Sequence, residues 1–347
     1  MKSQARAIDV KQGLSNSQLS NRVRNLKSLS FLSLTDNNFT NTLHILKSSR
    51  NLMVLLIGLN FRYEVMPQDG IMDGFENLQV LGIDKYSLSG SLPVWLSKLT
   101  NLKILFLSNN RLTGPIPSWI NTLHSLFYID IANNNLGGEI PAELMEMPML
   151  QVHRIAYFGT EFFEIPIYVS SAYQYRMLSA FPQLLNLSSN NLAGVIPPDI
   201  GQLGGLVALD LSFNNLYGGI PQSIGNLTTL LVLDLSSNHL TGTIPPVLMH
   251  LHFLSKFNVS NNDLEGPIPN GGQFDTFPKS SFDGNPKLYV TTVTHYSGPA
   301  EAPPVSILLA KQVTDKIIFL VAFISFFIVG VLYDQVVLST YLSYPYS

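Results

Sequence analysis

Residues 206–221 read Leu206-Val207-Ala208-Leu209-Asp210-Leu211-Ser212-Phe213-Asn214-Asn215-Leu216-Tyr217-Gly218-Gly219-Ile220-Pro221, and the frame returns with its Asn at 190, 214, 238 and 262. A fixed step of 24 residues marks a solenoid. One unit has too little apolar surface to fold alone, so copies stack on a shared core and leave a long open face suited to holding another molecule. Binding, rather than catalysis, is the first expectation.

Each position of the repeat has a physical job. In Leu209-Asp210-Leu211 the alternation has the strand period of two, which turns Leu209 and Leu211 inward and Asp210 outward. Every coil therefore contributes one short parallel strand. Asn214 sits where the chain leaves that strand, and its amide can serve backbone groups that no sheet partner satisfies. Stacked Asn residues are expected to form a ladder. Gly218 opens backbone conformations closed to residues with a Cβ, and Pro221 removes a donor and stops the strand.

The frame holds upstream at Asn134 (Leu126, Ile129, Ile131, Leu136, Ile140-Pro141) and at Asn110 (Leu102, Leu105, Leu107, Leu112, Ile116-Pro117). It weakens further back. Leu78-x-x-Leu81-x-Ile83 leads to Tyr86 where Asn is expected, and Leu52-x-x-Leu55-x-Ile57 reaches Asn60 without the Gly-x-Ile-Pro tail. Leu29-x-x-Leu32-x-Leu34 with Asn37 is the first copy, which makes nine coils within 22–270.

These spacings are identified as the plant-type leucine-rich repeat. The stretch from Leu251-His252-Phe253-Leu254 through Gly271-Gly272-Gln273-Phe274 to Phe282-Asp283-Gly284-Asn285-Pro286 resembles the end of the ectodomain in the plant receptors for phytosulfokine and the tyrosine-sulfated glycopeptide. The resemblance implies an α/β-type leucine-rich-repeat solenoid, with a parallel sheet on the concave face and a mostly irregular or 3-10 convex side.

One interval breaks the metre: Asn134 to Asn190 is 56 residues, 32 more than one coil, which places an insert at 151–182. A structureless loop of that length is uncommon in a compact domain and is usually functional or disordered. This one carries Tyr157, Phe158, Phe162, Phe163, Tyr168, Tyr173, Tyr175 and Phe181, with a strand-like run over 163–169, so it is expected to fold onto something. In the hormone receptors it resembles, an "island" insert helps to form the ligand site. The resemblance thus implies ligand-binding roles for Arg154, Tyr157, Phe162, Phe163, Tyr168, Tyr173, Tyr175 and Arg176, the two Arg being the cations available to an anionic group such as a sulfated tyrosine. The competing reading makes the aromatics mere pins and the Arg residues solvated surface charge.

Outward strand positions supply a second set: Phe106, Phe127, Tyr128, Asp130, Asp210, Phe213, Asp234 and Lys256. Bulky aromatics at such positions anchor partners, which singles out Phe106, Phe127, Tyr128 and Phe213. The Asp residues recur in register and are expected to be structural.

Residues 317–333 form an uncharged apolar run bounded by Lys316 and Asp334. At about 1.5 Å per residue it spans about 26 Å, enough for one C-terminal transmembrane helix. Flanking charges point the wrong way, since Lys311 and Lys316 precede the run and no Lys or Arg follows it. An extracellular repeat domain is expected from the resemblance and from four glycosylation triplets, at Asn38, Asn186, Asn226 and Asn258. The full division is a polar N-terminal remnant (1–21), coils one to five (22–150), the insert (151–182), coils six to nine (183–270), a cap remnant (271–298), a juxtamembrane spacer (299–316), the helix (317–333) and a short cytoplasmic tail (334–347).

Composition narrows the function. Charged residues are 12% with net charge −3, and no basic stripe exists, so nucleic-acid binding has no electrostatic support. The seven His are scattered apart from His250 and His252, and no phosphate-cradling loop appears, so neither an enzyme nor a metal or other cofactor is expected. There is no Cys, although the family usually clamps its solenoid ends with disulfides; Tyr289 and Ser297 stand where relatives carry the downstream pair. The start at Met1 offers no apolar run for a signal peptide, and the chain reads as a truncated relative of a longer receptor. The leading expectation is a single-pass plasma-membrane receptor-like protein that binds an extracellular peptide or protein and signals through a co-receptor kinase. A decoy or defence-type binding module and a non-functional remnant are the alternatives.

Overall fold

The computed structural model describes residues 7–9, 26–35, 37, 42–46, 49–58, 64–68, 74–84, 87–152, 164–169, 172–177 and 181–290, with 164–169 and 172–177 described as backbone. Short strands of the form outer–inner–outer stack into a ten-stranded sheet. Its strands are Ala7–Asp9, Phe31–Ser33, Val54–Leu56, Val80–Gly82, Ile104–Phe106, Tyr128–Asp130, Leu184–Asn186, Ala208–Asp210, Val232–Asp234 and Lys256–Asn258, in chain order. Every pairing is parallel and in repeat register, as in Leu185 beside Leu209 beside Leu233. The middle residues Leu105, Ile129, Leu185, Leu209 and Leu233 are buried in one continuous core with Leu206, Leu211, Leu216 and their equivalents.

The sheet starts earlier than the repeat frame suggests. Ala7–Asp9 pairs with Phe31–Ser33, with Ile8 beside Leu32, so part of 1–21 continues the sheet instead of being only a polar remnant. Ile8 is partly buried against the core. A single apolar residue between Ala7 and Asp9 carries too little pattern to be read as a coil.

The expected Asn ladder is present and accounts for the backbone between coils. Asn214 Nδ2 donates to the carbonyls of Leu187, Leu211 and Ser212 at 3.1, 3.1 and 3.2 Å, and its Oδ1 accepts Leu192 N–H at 3.0 Å. Asn110, Asn134, Asn238 and Asn262 repeat this. Each amide thus ties its own coil to the one before, where an unpaired carbonyl in a dry core would be costly. Beyond it, Gly218 takes φ 78°, a left-handed conformation repeated at Gly114, Gly138, Gly194, Gly242 and Gly266. These glycines sit in a second parallel sheet of eight strands, running from Ser89–Gly90 to Lys287–Val290. The Ile-Pro pairs ending at Pro117, Pro141, Pro197, Pro221 and Pro245 then open 3-10 turns, as Pro221 does for Gln222–Asn226, and the chain returns to the next coil.

The insert leaves the stack without breaking it. Tyr128–Asp130 pairs directly with Leu184–Asn186, and Asn190 Nδ2 reaches Ile131 O at 3.1 Å across the gap. At the far end Asn285 serves as a further ladder residue, donating to Val259 O at 3.0 Å and Phe282 O at 2.9 Å while accepting Leu264 N–H. Phe257, Phe274, Phe277 and Phe282 close the core there, the Phe257 ring lying 5.0, 5.5 and 5.8 Å from the other three. Ring packing therefore ends the described solenoid where no cysteine is present. Tyr289 lies exposed on Lys287–Val290, paired with Pro267. Among the described residues no helix is long and apolar enough to cross a membrane; the run 317–333 lies outside them.

Candidate ligand-binding face

Outer positions of the ten-stranded sheet form its free face, and that face divides in two. Val54, Val80 and Ile104 are wholly buried and Leu56 is 6% exposed, although the pleat turns them away from the repeat core. In Tyr128–Asp130, Leu184–Asn186 and Ala208–Asp210 the pattern becomes half-buried, buried, half-buried, and Tyr128, Asp130, Asn186, Asp210 and, in the next strand, Val232 reach solvent. The frontier is an aromatic cluster. Phe106 and Tyr128 lie 5.0 Å apart, and Phe181, three residues before the strand Leu184–Asn186, covers both at 6.0 and 5.4 Å in edge-on geometry.

Phe181 is 6% exposed, so the end of the insert is pinned onto the free face by buried aromatic area. The base of the insert is pinned as well: Gln183 is 4% exposed and its amide donates to Met149 O and to Val152 O across the two ends of the excursion. Between these pins the backbone forms an antiparallel hairpin, Glu164–Val169 with Ala172–Met177, in a register that sets Tyr168 opposite Tyr173, Pro166 opposite Tyr175 and Ile165 opposite Arg176. The strand-like run expected over 163–169 is thus one arm of a hairpin.

Beside the aromatic cluster runs a column of short polar side chains in register: Asp130, Asn186, Asp210, Asp234 and Asn258. Each turns one oxygen to the backbone N–H two residues on, at 3.3, 3.2, 3.0, 3.1 and 3.1 Å. Ser188, Ser212 and Ser236 add their hydroxyls to the same oxygens. This turn is structural work, as the sequence suggested for the recurring Asp residues. Burial pushes the carboxyls of Asp130 and Asp210 above the ordinary carboxylate value, against the lowering effect of these hydrogen bonds. Lys256 Nζ lies 3.4 Å from Asp234 Oδ2 and so sits on the free face as expected.

Two expected face residues are placed elsewhere. Phe127 is wholly buried: it precedes the strand Tyr128–Asp130, and the pleat gives the outer positions to Tyr128 and Asp130. Phe213 is 60% exposed but follows the strand Ala208–Asp210, in a turn at φ 54°. Its column holds Asn109, Asn133, Ser189, Ser237 and Asn261, all left-handed, where Asn is several-fold enriched and a bulky ring is an outlier. Near it on the second sheet, Tyr217 is 52% exposed and paired with Val195 at 47%. Arg154, Tyr157, Phe162 and Phe163 lie outside the described residues, as do the side chains of Tyr168, Tyr173, Tyr175 and Arg176. Gln183 and Asn285 were not legible from the repeat; Asn285 carried a faint signal, one residue short of a full step from Asn262.

A stacked parallel sheet and an Asn ladder define a leucine-rich-repeat solenoid, and an insert leaves it and returns to its free face. Leucine-rich-repeat models match residues 76–136, 182–203, 205–227 and 229–251. The chain is homologous to receptor-like protein 3 of Arabidopsis thaliana, at 57% identity over 279 residues, covering 77% of this chain and 37% of that protein. Over 77 residues it is 41% identical to Arabidopsis thaliana phytosulfokine receptor 1, covering 21% of this chain and 8% of that receptor. Among solved structures it resembles the plant peptide hormone receptor RGFR1 in complex with RGF2, at 28% identity and TM-score 0.54, covering 73% of this chain and 39% of that one. The ectodomain of the Arabidopsis receptor kinase HAESA with an IDA peptide hormone ligand is similar at 29% identity and TM-score 0.52, covering 79% and 36%. The chain spans well under half the length of these relatives.

Proposed function

We propose that the chain binds an extracellular peptide on the free face of the ten-stranded sheet, in the open half bounded by Phe106, Tyr128 and Phe181. One observation carries the reading: the insert ends in Phe181, which packs on two outward aromatics and leaves Asp130, Asn186 and Asp210 accessible beside it. An aromatic wall next to a row of polar groups, on a scaffold fixed by the ladder, is the arrangement that orients an extended ligand. The reading also assigns a part in ligand capture to the hairpin between the pins, which carries Tyr168, Tyr173, Tyr175 and Arg176 on its strands. The wider reading adds a membrane anchor through 317–333, an extracellular repeat domain and signalling through a co-receptor kinase, supported by the uncharged run and the family resemblance. A protein ligand is the second reading, favoured by the exposed Phe213, Tyr217 and Val195 on the flank.

The test titrates the purified chain with short tyrosine-sulfated peptides and their unsulfated counterparts, before and after Phe181→Ala. Binding is expected to weaken at least about tenfold, equivalent to about 1.4 kcal/mol, as the insert loses its pin. Hydrogen exchange should quicken in 164–177 and stay unchanged in 206–262. Equal affinity for Phe181→Ala and the parent chain sinks the reading.

A further inference from the structure

Three Asn-x-Ser/Thr triplets fall among the described residues: Asn186-Leu187-Ser188, Asn226-Leu227-Thr228 and Asn258-Val259-Ser260. An N-linked glycan uses the Asn amide nitrogen and the hydroxyl two residues on, and needs space for a bulky hydrated sugar. The fold treats the three triplets differently.

At Asn186 and Asn258 the repeat has already employed groups of the triplet, the Ser188 hydroxyl at the first and the amide nitrogen at the second. Asn186 lies within the ten-stranded sheet between Asp130 and Asp210, and its Oδ1 takes both the N–H and the hydroxyl of Ser188, at 3.2 and 2.8 Å. Asn258 Oδ1 takes Ser260 N–H at 3.1 Å while its Nδ2 donates to Asp234 Oδ2 at 3.4 Å, and Ser260 is buried. A sugar on Asn258 displaces the Nδ2 contact with Asp234, and one on the half-buried Asn186 stands in the column between Asp130 and Asp210, where bulky hydrated groups are costly.

Asn226 is the reverse case. It is the exposed last residue of the 3-10 turn Gln222–Asn226, outside the ten-stranded sheet, and its side chain makes no hydrogen bond among the described residues. Thr228 is exposed too, and its backbone N–H returns to Asn226 O at 2.9 Å, leaving its hydroxyl for recognition. The equivalent residues of the adjoining coils, Gln202 and His250, are also exposed, so neither neighbour crowds the position.

We propose that Asn226 carries the N-linked glycan of the described solenoid and that Asn186 and Asn258 remain bare in the folded protein. The inference rests on the extracellular placement argued above. Sugar transfer precedes folding, so the fold acts as a filter: chains modified at Asn186 or Asn258 fail to close the sheet and are retained, whereas those modified at Asn226 fold and leave. The consequence is functional, because sugar stays off the candidate ligand-binding face.

The test sends the full chain into the secretory pathway behind an appended leader and maps site occupancy by glycopeptide mass spectrometry on surface-exposed material. Asn226 is expected to be occupied, with Asn186 and Asn258 unmodified. Asn226→Gln should remove one endoglycosidase-sensitive mobility step without reducing export, and Asn186→Gln and Asn258→Gln should remove none. A bare Asn226, or sugar at Asn186 or Asn258 in exported chains, overturns the proposal. Because the leader imposes translocation, those outcomes are distinct from failure of the extracellular reading, which protease protection of the unaltered chain in cells reports.

Discussion

Replacing Asn214 with Ala tests whether the ladder holds the coils together. Asn214 is 7% exposed and its side chain makes three donor contacts and one acceptor contact within 3.0–3.2 Å, two of them to the preceding coil at Leu187 and Leu192. A net hydrogen bond contributes about 1 kcal/mol, and a buried group left unpaired costs about 1–3 kcal/mol, so Asn214→Ala should lose about 3–5 kcal/mol in all. The internal control is Asn215→Ala. Asn215 is exposed and its single side-chain bond, to Asn191 Oδ1 at 2.7 Å, is wet, so its loss should stay within about 0.5 kcal/mol. Urea unfolding supplies both numbers, and native-state hydrogen exchange supplies the location. Leu192 N–H, which donates to Asn214, should lose protection, while Leu112 N–H, held by Asn134, should keep it, because each repeat couples only to its neighbours. A loss below about 1 kcal/mol, or unchanged protection of Leu192, would refute the ladder as the source of coil-to-coil order.

Two further outcomes follow from the free face and its rim. Asp210→Asn keeps the oxygen that receives Ser212 N–H, as Asn186 and Asn258 do in the same column, and removes a carboxylate whose ionisation burial disfavours. Since the folded-state value is raised, the parent chain loses stability as pH rises above the ordinary carboxylate value, and the Asn variant lacks that loss; urea midpoints should therefore diverge in favour of the variant as pH rises out of the acid range, and parallel curves would contradict this. Phe213→Asn places in the left-handed turn the residue found at Asn109, Asn133 and Asn261, and should raise stability by about 0.5–1 kcal/mol in thermal or urea unfolding; a decrease would show that the exposed ring contributes packing.

The repeat frame reached far into the fold because its positions do the same thing in every coil. Leu209 and Leu211 are buried, Asn214 bridges, Gly218 turns left-handed and Pro221 opens a 3-10 turn, each as its chemistry requires. Legibility fell where the frame was sparse or off by one. Ala7–Asp9 joined the sheet on the strength of Ile8, and Asn285 continued the ladder one residue short of the step. Phe127 and Phe213 show the limit of counting outward positions: the first lies one residue before the outer Tyr128 and the second three beyond the outer Asp210, and such shifts turn an anchor into core or into a turn.

By itself, the sequence determined the period, the core and ladder residues of the coils from Asn110 to Asn262, and the site of the interruption. All of these rest on contacts between a coil and its copy, which recur at a fixed separation and so leave a periodic trace. The tertiary structure alone decided where the interruption goes. Phe181 meets Phe106 and Tyr128, and Gln183 ties Met149 to Val152, through contacts made once and at separations set by the excursion. Such singular contacts depend on how the chain returns to the sheet, and no repeating pattern encodes them. The same distinction sorts the three glycosylation triplets: the motif is alike at Asn186, Asn226 and Asn258, and only burial and hydrogen bonding tell them apart.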